Sequence, residues 1–187
     1  MLMKRAWGAF GMGAVLLALA PAQALAQDLT LGQLAVAGLE DVCVPVIERG
    51  EAIGETASGA GFIELEGENR AALGGGPGMS WWFYEFAGAL LVVGRDLDEA
   101  GSPCQILANS DAGLSDGIDG EIGNWLNRHR SGYELVRTPK ASDGPDALWV
   151  WERVGGGTVQ QLQMNVTRRQ DSSASSMLRY RLLPQPR

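Results

Sequence analysis

The chain has 187 residues, 45% of them hydrophobic and 20% charged, with a formal net charge of −7. That length suits one typical domain or two small ones with a sizeable core. The acidic balance argues against a nucleic-acid binder, which needs a concentrated basic footprint, and one histidine with two cysteines excludes the usual zinc constellations.

Residues 1–26 read as a cleaved secretory signal. Lys4 and Arg5 give a positive start, an apolar stretch runs from Ala6 to Ala20, and Pro21 breaks it. Ala24-Leu25-Ala26 then supplies the small-x-small pattern at which signal peptidases cut, so cleavage between Ala26 and Gln27 is expected. The apolar core is shorter than the roughly 20 residues of a spanning helix, which argues against an uncleaved anchor. The mature chain, 27–187, is expected to be periplasmic or extracellular with no transmembrane anchor, and without Lys4 and Arg5 its net charge is −9. Its charge is uneven: residues 27–121 carry 17 acids against Arg49, Arg70 and Arg95, whereas residues 122–187 carry 5 acids against 10 bases. Either the two halves complement one another or a partner, or these are two solvated surfaces.

The mature chain opens on a helical pattern. Leu31, Leu34, Ala35, Leu39, Val42, Cys43 and Val46 recur at spacings of three and four after Asp28-Leu29-Thr30. Pro45 is expected to bend or restart this helix, and Gly59-Ala60-Gly61 to end the region. Short strands follow. Residues 62–66 alternate, a glycine-rich loop spans 74–78, Trp81 to Phe86 is the densest aromatic run, and Ala89 to Val93 reads as a buried strand. Residues 104–107 form a fourth. A second helix is expected from Ser115 or Asp116, either of which can cap it, with Ile118, Ile122, Trp125, Leu126 and His129 along one side and Gly132 stopping it. Four more strands are expected at 133–137, 148–154, 158–167 and 177–183, the last two separated by a serine-rich loop at 172–176.

The halves look related. Trp82, Glu85 and Gly88 match Trp149, Glu152 and Gly155 at a constant offset of 67. The expected fold is α+β: a helix packed on antiparallel sheet, read as a single domain over 27–187. Its half-repeats, 27–110 and 115–184, would each be a helix with three or four strands, sharing one core. In element order alone this is similar to tandem helix-and-sheet proteins such as the secreted β-lactamase inhibitor proteins. No motif carries that likeness, and it implies nothing about function.

Each chemistry has an ordinary structural rival. Cys43 and Cys104, in an oxidising compartment, most simply pair; a reactive free thiol is the alternative, without CxxC context or nearby histidine. His129 is the only histidine, so any serine or cysteine triad must use it, but a cation near a helix C-terminus also has a plain stabilising role. The carboxylate-rich stretch 111–121 offers oxygens to calcium without EF-hand spacing, and a helix-capping loop explains it equally well. Glu85 and Glu152 follow aromatic residues in the manner of a glycosidase site, with Trp82, Tyr84, Trp149 and Trp151 available to stack on a sugar. Strand alternation turns each glutamate away from those aromatics and toward solvent. The glycine loops 74–78 and 155–157 lack the lysine and serine of a phosphate loop. The sequon at Asn165 matters only in a eukaryotic secretory pathway.

The leading expectation is a secreted or periplasmic, non-enzymatic binding or inhibitor-like protein whose partner is an envelope or extracellular protein. No cofactor and no metal are expected. The rivals are a carboxylate-dependent hydrolase of envelope glycans and a carrier of an apolar ligand between helix and sheet.

Overall fold

The structure, a computed structural model, describes residues 30–74, 76–86, 89–110, 118–140, 146–168 and 174–185. The signal segment with Ala26 and Gln27, and residues 111–117 of the carboxylate-rich stretch, lie outside them. Thr30 starts the first helix as a reciprocal cap: its hydroxyl accepts from the Gln33 N–H at 3.1 Å, and Gln33 Oε1 accepts from the Thr30 N–H at 3.0 Å. Helix α1 runs over Leu31–Gly38, a π turn over Leu39–Cys43, and α2 over Val44–Glu48. Pro45 is the cause. It has no N–H to continue the α ladder and its ring crowds a carbonyl one turn back, and the ladder widens so that the Val44 N–H bonds the Leu39 carbonyl. Helix α3 follows at Ile53–Gly59.

One eight-stranded antiparallel sheet carries the rest: β1 (Ile63–Glu64), β2 (Met79–Phe86), β3 (Ala89–Asp96), β4 (Cys104–Ser110), β5 (Glu134–Arg137), β6 (Asp146–Gly155), β7 (Thr158–Arg168) and β8 (Ala174–Pro184). Their order is β1-β2-β3-β4-β8-β7-β6-β5, symmetrical about the β4–β8 pair. Short helix α4 (Gly67–Ala72) lies between β1 and β2, and α5 (Ile118–His129) between β4 and β5. The α+β expectation is met. Several boundaries move: the alternating 62–66 segment pairs only at Ile63 and Glu64, β8 starts at Ala174 inside the expected serine loop, and α4 was not foreseen.

The main core lies between the sheet and helices α1, α2, α3 and α5, and it is continuous through both halves. Leu31, Ala35, Leu39 and Val42 from the first helical stretch meet Ile118, Ile122, Trp125 and Leu126 from α5. Beneath them lie Val93, Ile106, Leu162, Met164 and Leu178 from the sheet. Helices α1 and α5 approach closely at Gly32, where a Cβ would stand 2.8 Å from Glu121 Cγ. Cys43, on the buried stripe, is bonded to Cys104 at the start of β4, with a Cα–Cα distance of 5.4 Å and a sequence separation of 61. A loop of that size stabilises the fold by about 4 kcal/mol on the chain-entropy estimate.

Because side chains alternate along strands, the sheet has a second face away from those helices. In the first half this outer face is sealed: Met79, Trp81 and Val92 form a separate apolar cluster packed by Leu65 and Leu73, which flank α4. The Trp81 ring lies directly on Gly94, where a Cβ would overlap it, and its indole N–H donates to the Gly74 carbonyl at 3.2 Å. Among the described residues, no such cluster seals the outer face of β5–β8.

Candidate functional site

The outer face of β6, β7 and β8 is built by register. Glu152 pairs with Gln161 and Gln161 with Arg181, so these three side chains form a row across three strands. The row is ordered by hydrogen bonds: Gln161 Nε2 donates to Glu152 Oε1 at 2.6 Å, and Arg181 donates through Nε (3.0 Å) and Nη2 (2.7 Å) to Gln161 Oε1. One step along, Val150, Gln163 and Arg179 are opposite one another, and the next row is Leu148, Asn165 and Met177. This face therefore mixes half-buried Glu152, Gln163, Arg179 and Arg181 with the buried Gln161 and Val150 at its centre, held on strands rather than loops.

On the helix side of the same half, α5 and the β5–β6 edge leave a cleft of about 250 Å³. Trp149 and Trp151, two residues apart on β6, share the face that lines it, together with Tyr133 just before β5 and Leu135 within it. Helix α5 contributes Asp119, Gly123 and Asn127. Trp151 is buried, Trp149 and Tyr133 half-buried, and Leu135 exposed.

Tyr133 belongs to a polar cluster behind this cleft. Its hydroxyl lies 2.9 Å from that of Tyr180 and donates to Gln160 Oε1 at 3.0 Å. Tyr180, 2% exposed, donates to Glu48 Oε1 at 2.5 Å, and Arg130 Nη1 reaches both Glu48 oxygens at 2.9 Å. The Arg153 guanidinium lies over the Tyr133 ring at 5.2 Å, and that of Arg130 over Trp125 at 5.9 Å. Burial pushes the Tyr180 phenol far above its ordinary range, and donation to the Glu48 carboxylate adds to the shift. Burial also raises Tyr133, against the lowering effect of its bond to Tyr180. The cluster ties the end of α2, the end of α5 and strand β8 together at the back of the cleft.

The residues singled out by sequence do not converge. Glu85 is exposed on the outer face of β2. Glu152 also lies on the outer face but, contrary to its expected projection into solvent, is held by Gln161 and half-buried. Between them lie β3, β4, β8 and β7, five interstrand steps or about 24 Å. Paired glycosidase carboxylates stand at most about 9.5 Å apart. His129 is exposed at the last residue of α5, not on its inner side, because the buried stripe ends at Leu126. Cys43 and Cys104 are joined and lie in the core. Among the described residues, no group of three or more potential metal ligands comes together.

Sequence reasoning found Trp149 and Trp151 but missed Asn127, Gln161 and Arg181. A polar residue's role here follows from strand pairing and helix docking, and neither is written locally. Compared with known proteins, the chain matches no family model, no curated protein and no solved structure.

Proposed function

We propose that the mature protein is a secreted or periplasmic binding protein, not itself an enzyme, that docks an envelope or extracellular protein on the outer face of β6–β8. The observation that supports this reading is the ordered row Glu152–Gln161–Arg181 on a sheet face that carries an apolar cluster in the first half and, among the described residues, no such cluster in the second. Pre-formed hydrogen bonds between these side chains lower the ordering cost of association, and a mixed polar and aliphatic patch is what a non-obligate interface presents. Arg179 and Arg181, in the basic half of the chain, favour a partner with an acidic rim. A disulfide between Cys43 and Cys104 suits an oxidising compartment, and among the described residues no helix is long and apolar enough to cross a membrane.

The test is capture from an envelope extract of the source organism by the oxidised protein beginning at Gln27, at low and high salt. A stoichiometric protein partner is expected, weakened by salt and lost in the double variant Arg179→Glu/Arg181→Glu with its melting temperature preserved. Capture that persists unchanged in that variant sinks this assignment of the surface. Absence of any partner at either salt sinks the binding reading itself.

A further inference from the structure

The cleft between α5 and the β5–β6 edge is a separate feature, on the opposite face of the sheet from the proposed docking surface. We infer that it is a binding site for a single pyranose ring of a neutral saccharide. The two readings are independent, and either can fail without the other.

Size comes first. At about 250 Å³ the cleft falls below the roughly 300–1,000 Å³ of sites that enclose drug-sized ligands. It has room for one six-membered ring and its substituents. Its lining then narrows the chemistry. Trp149 and Trp151 come from the same strand face; Trp151 is buried in the core, so the half-buried Trp149 supplies the aromatic platform. A pyranose has one face of C–H bonds that packs on such a platform and a rim of hydroxyls that need partners. Asp119 supplies acceptors and Asn127 both a donor and an acceptor, from the helix that forms the opposite wall. The two stand eight residues, about 12 Å, apart along α5, so they meet hydroxyls at opposite ends of a ring seated between them.

Charge decides between this ligand and its two rivals. An anion would meet the Asp119 carboxylate that lines the cleft, which offsets the attraction of the Arg153 guanidinium beside Tyr133. A quaternary ammonium or lysine ligand suits aromatic cages in general, but here the Tyr133 ring already carries the Arg153 guanidinium at 5.2 Å, and a second cation would be repelled by it. A neutral, hydroxyl-rich ligand escapes both penalties.

Helix α5 also keeps the space clear. Gly123 lies in its interior, where glycine costs about 1 kcal/mol relative to alanine. A Cβ there would meet no atom within 4 Å, so packing does not demand the glycine. A side chain at 123 would instead project into the cleft that Gly123 lines.

The experiment is a tryptophan-fluorescence titration of the oxidised protein with N-acetylglucosamine, chitotetraose and cellotetraose, with choline chloride and inorganic phosphate as charged controls. A saturable change with at least one neutral sugar is expected, insensitive to salt, with choline and phosphate inert. The monosaccharide separates a free sugar, bound as tightly as its oligomer, from a glycan chain, for which the oligomer binds more tightly. Asn127→Ala, at an exposed position, is expected to weaken binding about tenfold at an unchanged melting temperature. Gly123→Leu is expected to abolish binding while holding or raising the melting temperature, since leucine is the better helix former. Silence from all three sugars up to about 20 mM, a range that already admits very weak sites, overturns the inference. So does sugar binding that survives in Gly123→Leu, or choline binding in the sugar's place.

Discussion

The two halves of this molecule each lay down helix and then four strands that mirror one another in the sheet, the first half adding α2, α3 and α4, and they treat the outer sheet face in opposite ways. In the first half, Trp81 lies flat on Gly94, anchors its indole N–H on Gly74, and is packed with Met79 and Val92 by Leu65 and Leu73. In the second half the equivalent surface carries Glu152, Gln161 and Arg181 in a hydrogen-bonded row. The residues at the constant offset of 67 keep their faces: Trp82 and Trp149 turn to the helices, Glu85 and Glu152 away from them. The inner face, committed to the shared core, is thus used alike, while the outer face is packed as an apolar cluster in one half and, among the described residues, carries a hydrogen-bonded polar row in the other.

The most severe way to break this comparison is to remove the staple, which anchors the helical layer to the first half's strand β4 and has no counterpart among the described residues of the second. Cys43→Ser with Cys104→Ser is expected to cost about 4 kcal/mol in urea unfolding, and an unchanged midpoint would show that the bond constrains little. Next comes Gly94→Ala. The Trp81 ring must move bodily to admit the methyl group, so a loss near about 3 kcal/mol, the upper end of overpacking costs, is expected. Gln163→Ala on the second half's outer face should stay within about 0.5 kcal/mol; equal losses at the two positions would erase the proposed contrast.

Tyr180→Phe removes the hydroxyl donor from the half-buried Glu48 and is expected to cost about 2 kcal/mol, the range for hydrogen bonds to charged groups. The same cluster sets an alkaline limit. Both phenols are raised by burial, so the folded state holds protons that the unfolded state releases near pH 10. Their contribution is complete below about pH 10 and falls as the pH climbs past it. Thermal melts between pH 8 and 11 should show this decline, shallower in Tyr180→Phe. The smallest stability effect is expected for Arg181→Ala, within about 0.5 kcal/mol, with partner capture reduced; a large drop in melting temperature would make the row a structural device instead.

Much of the fold was legible because it is written in local period. The stripe from Leu31 to Val46 and the strands of the second half follow from side-chain direction within one element, and the bend or restart at Pro45 from its missing N–H. Cys43 on that stripe also pointed to its tie with a distant strand. Helix α4 escaped because it buries no residue and so leaves no apolar stripe to read. The polar row escaped for a different reason. Glu152 was visible as a carboxylate beside aromatics, but its restraint by Gln161 and Arg181 exists only once β7 sets the register between β6 and β8. The cleft lies between these cases: Trp149 and Trp151 were evident as a shared face, while the polar lining residues Asp119 and Asn127 arrive from a helix whose docking the strand pattern does not encode.

The pairing of β4 with β8 also governs assembly in time. Ser110 finds its partner in Ala174, 64 residues further along, whereas β2–β3–β4 and β5–β6–β7 each zip through neighbours in sequence. A chain emerging from its N-terminus can therefore form both hairpin series and still possess two unjoined sheets. Only residues 174–184 supply the strand that β4 and β7 both lack. Closing that long loop carries an entropy cost that grows with the logarithm of its length, and pairings so remote in sequence are slow to form. The seam between the halves, rather than either half, sets the pace at which the molecule becomes one body.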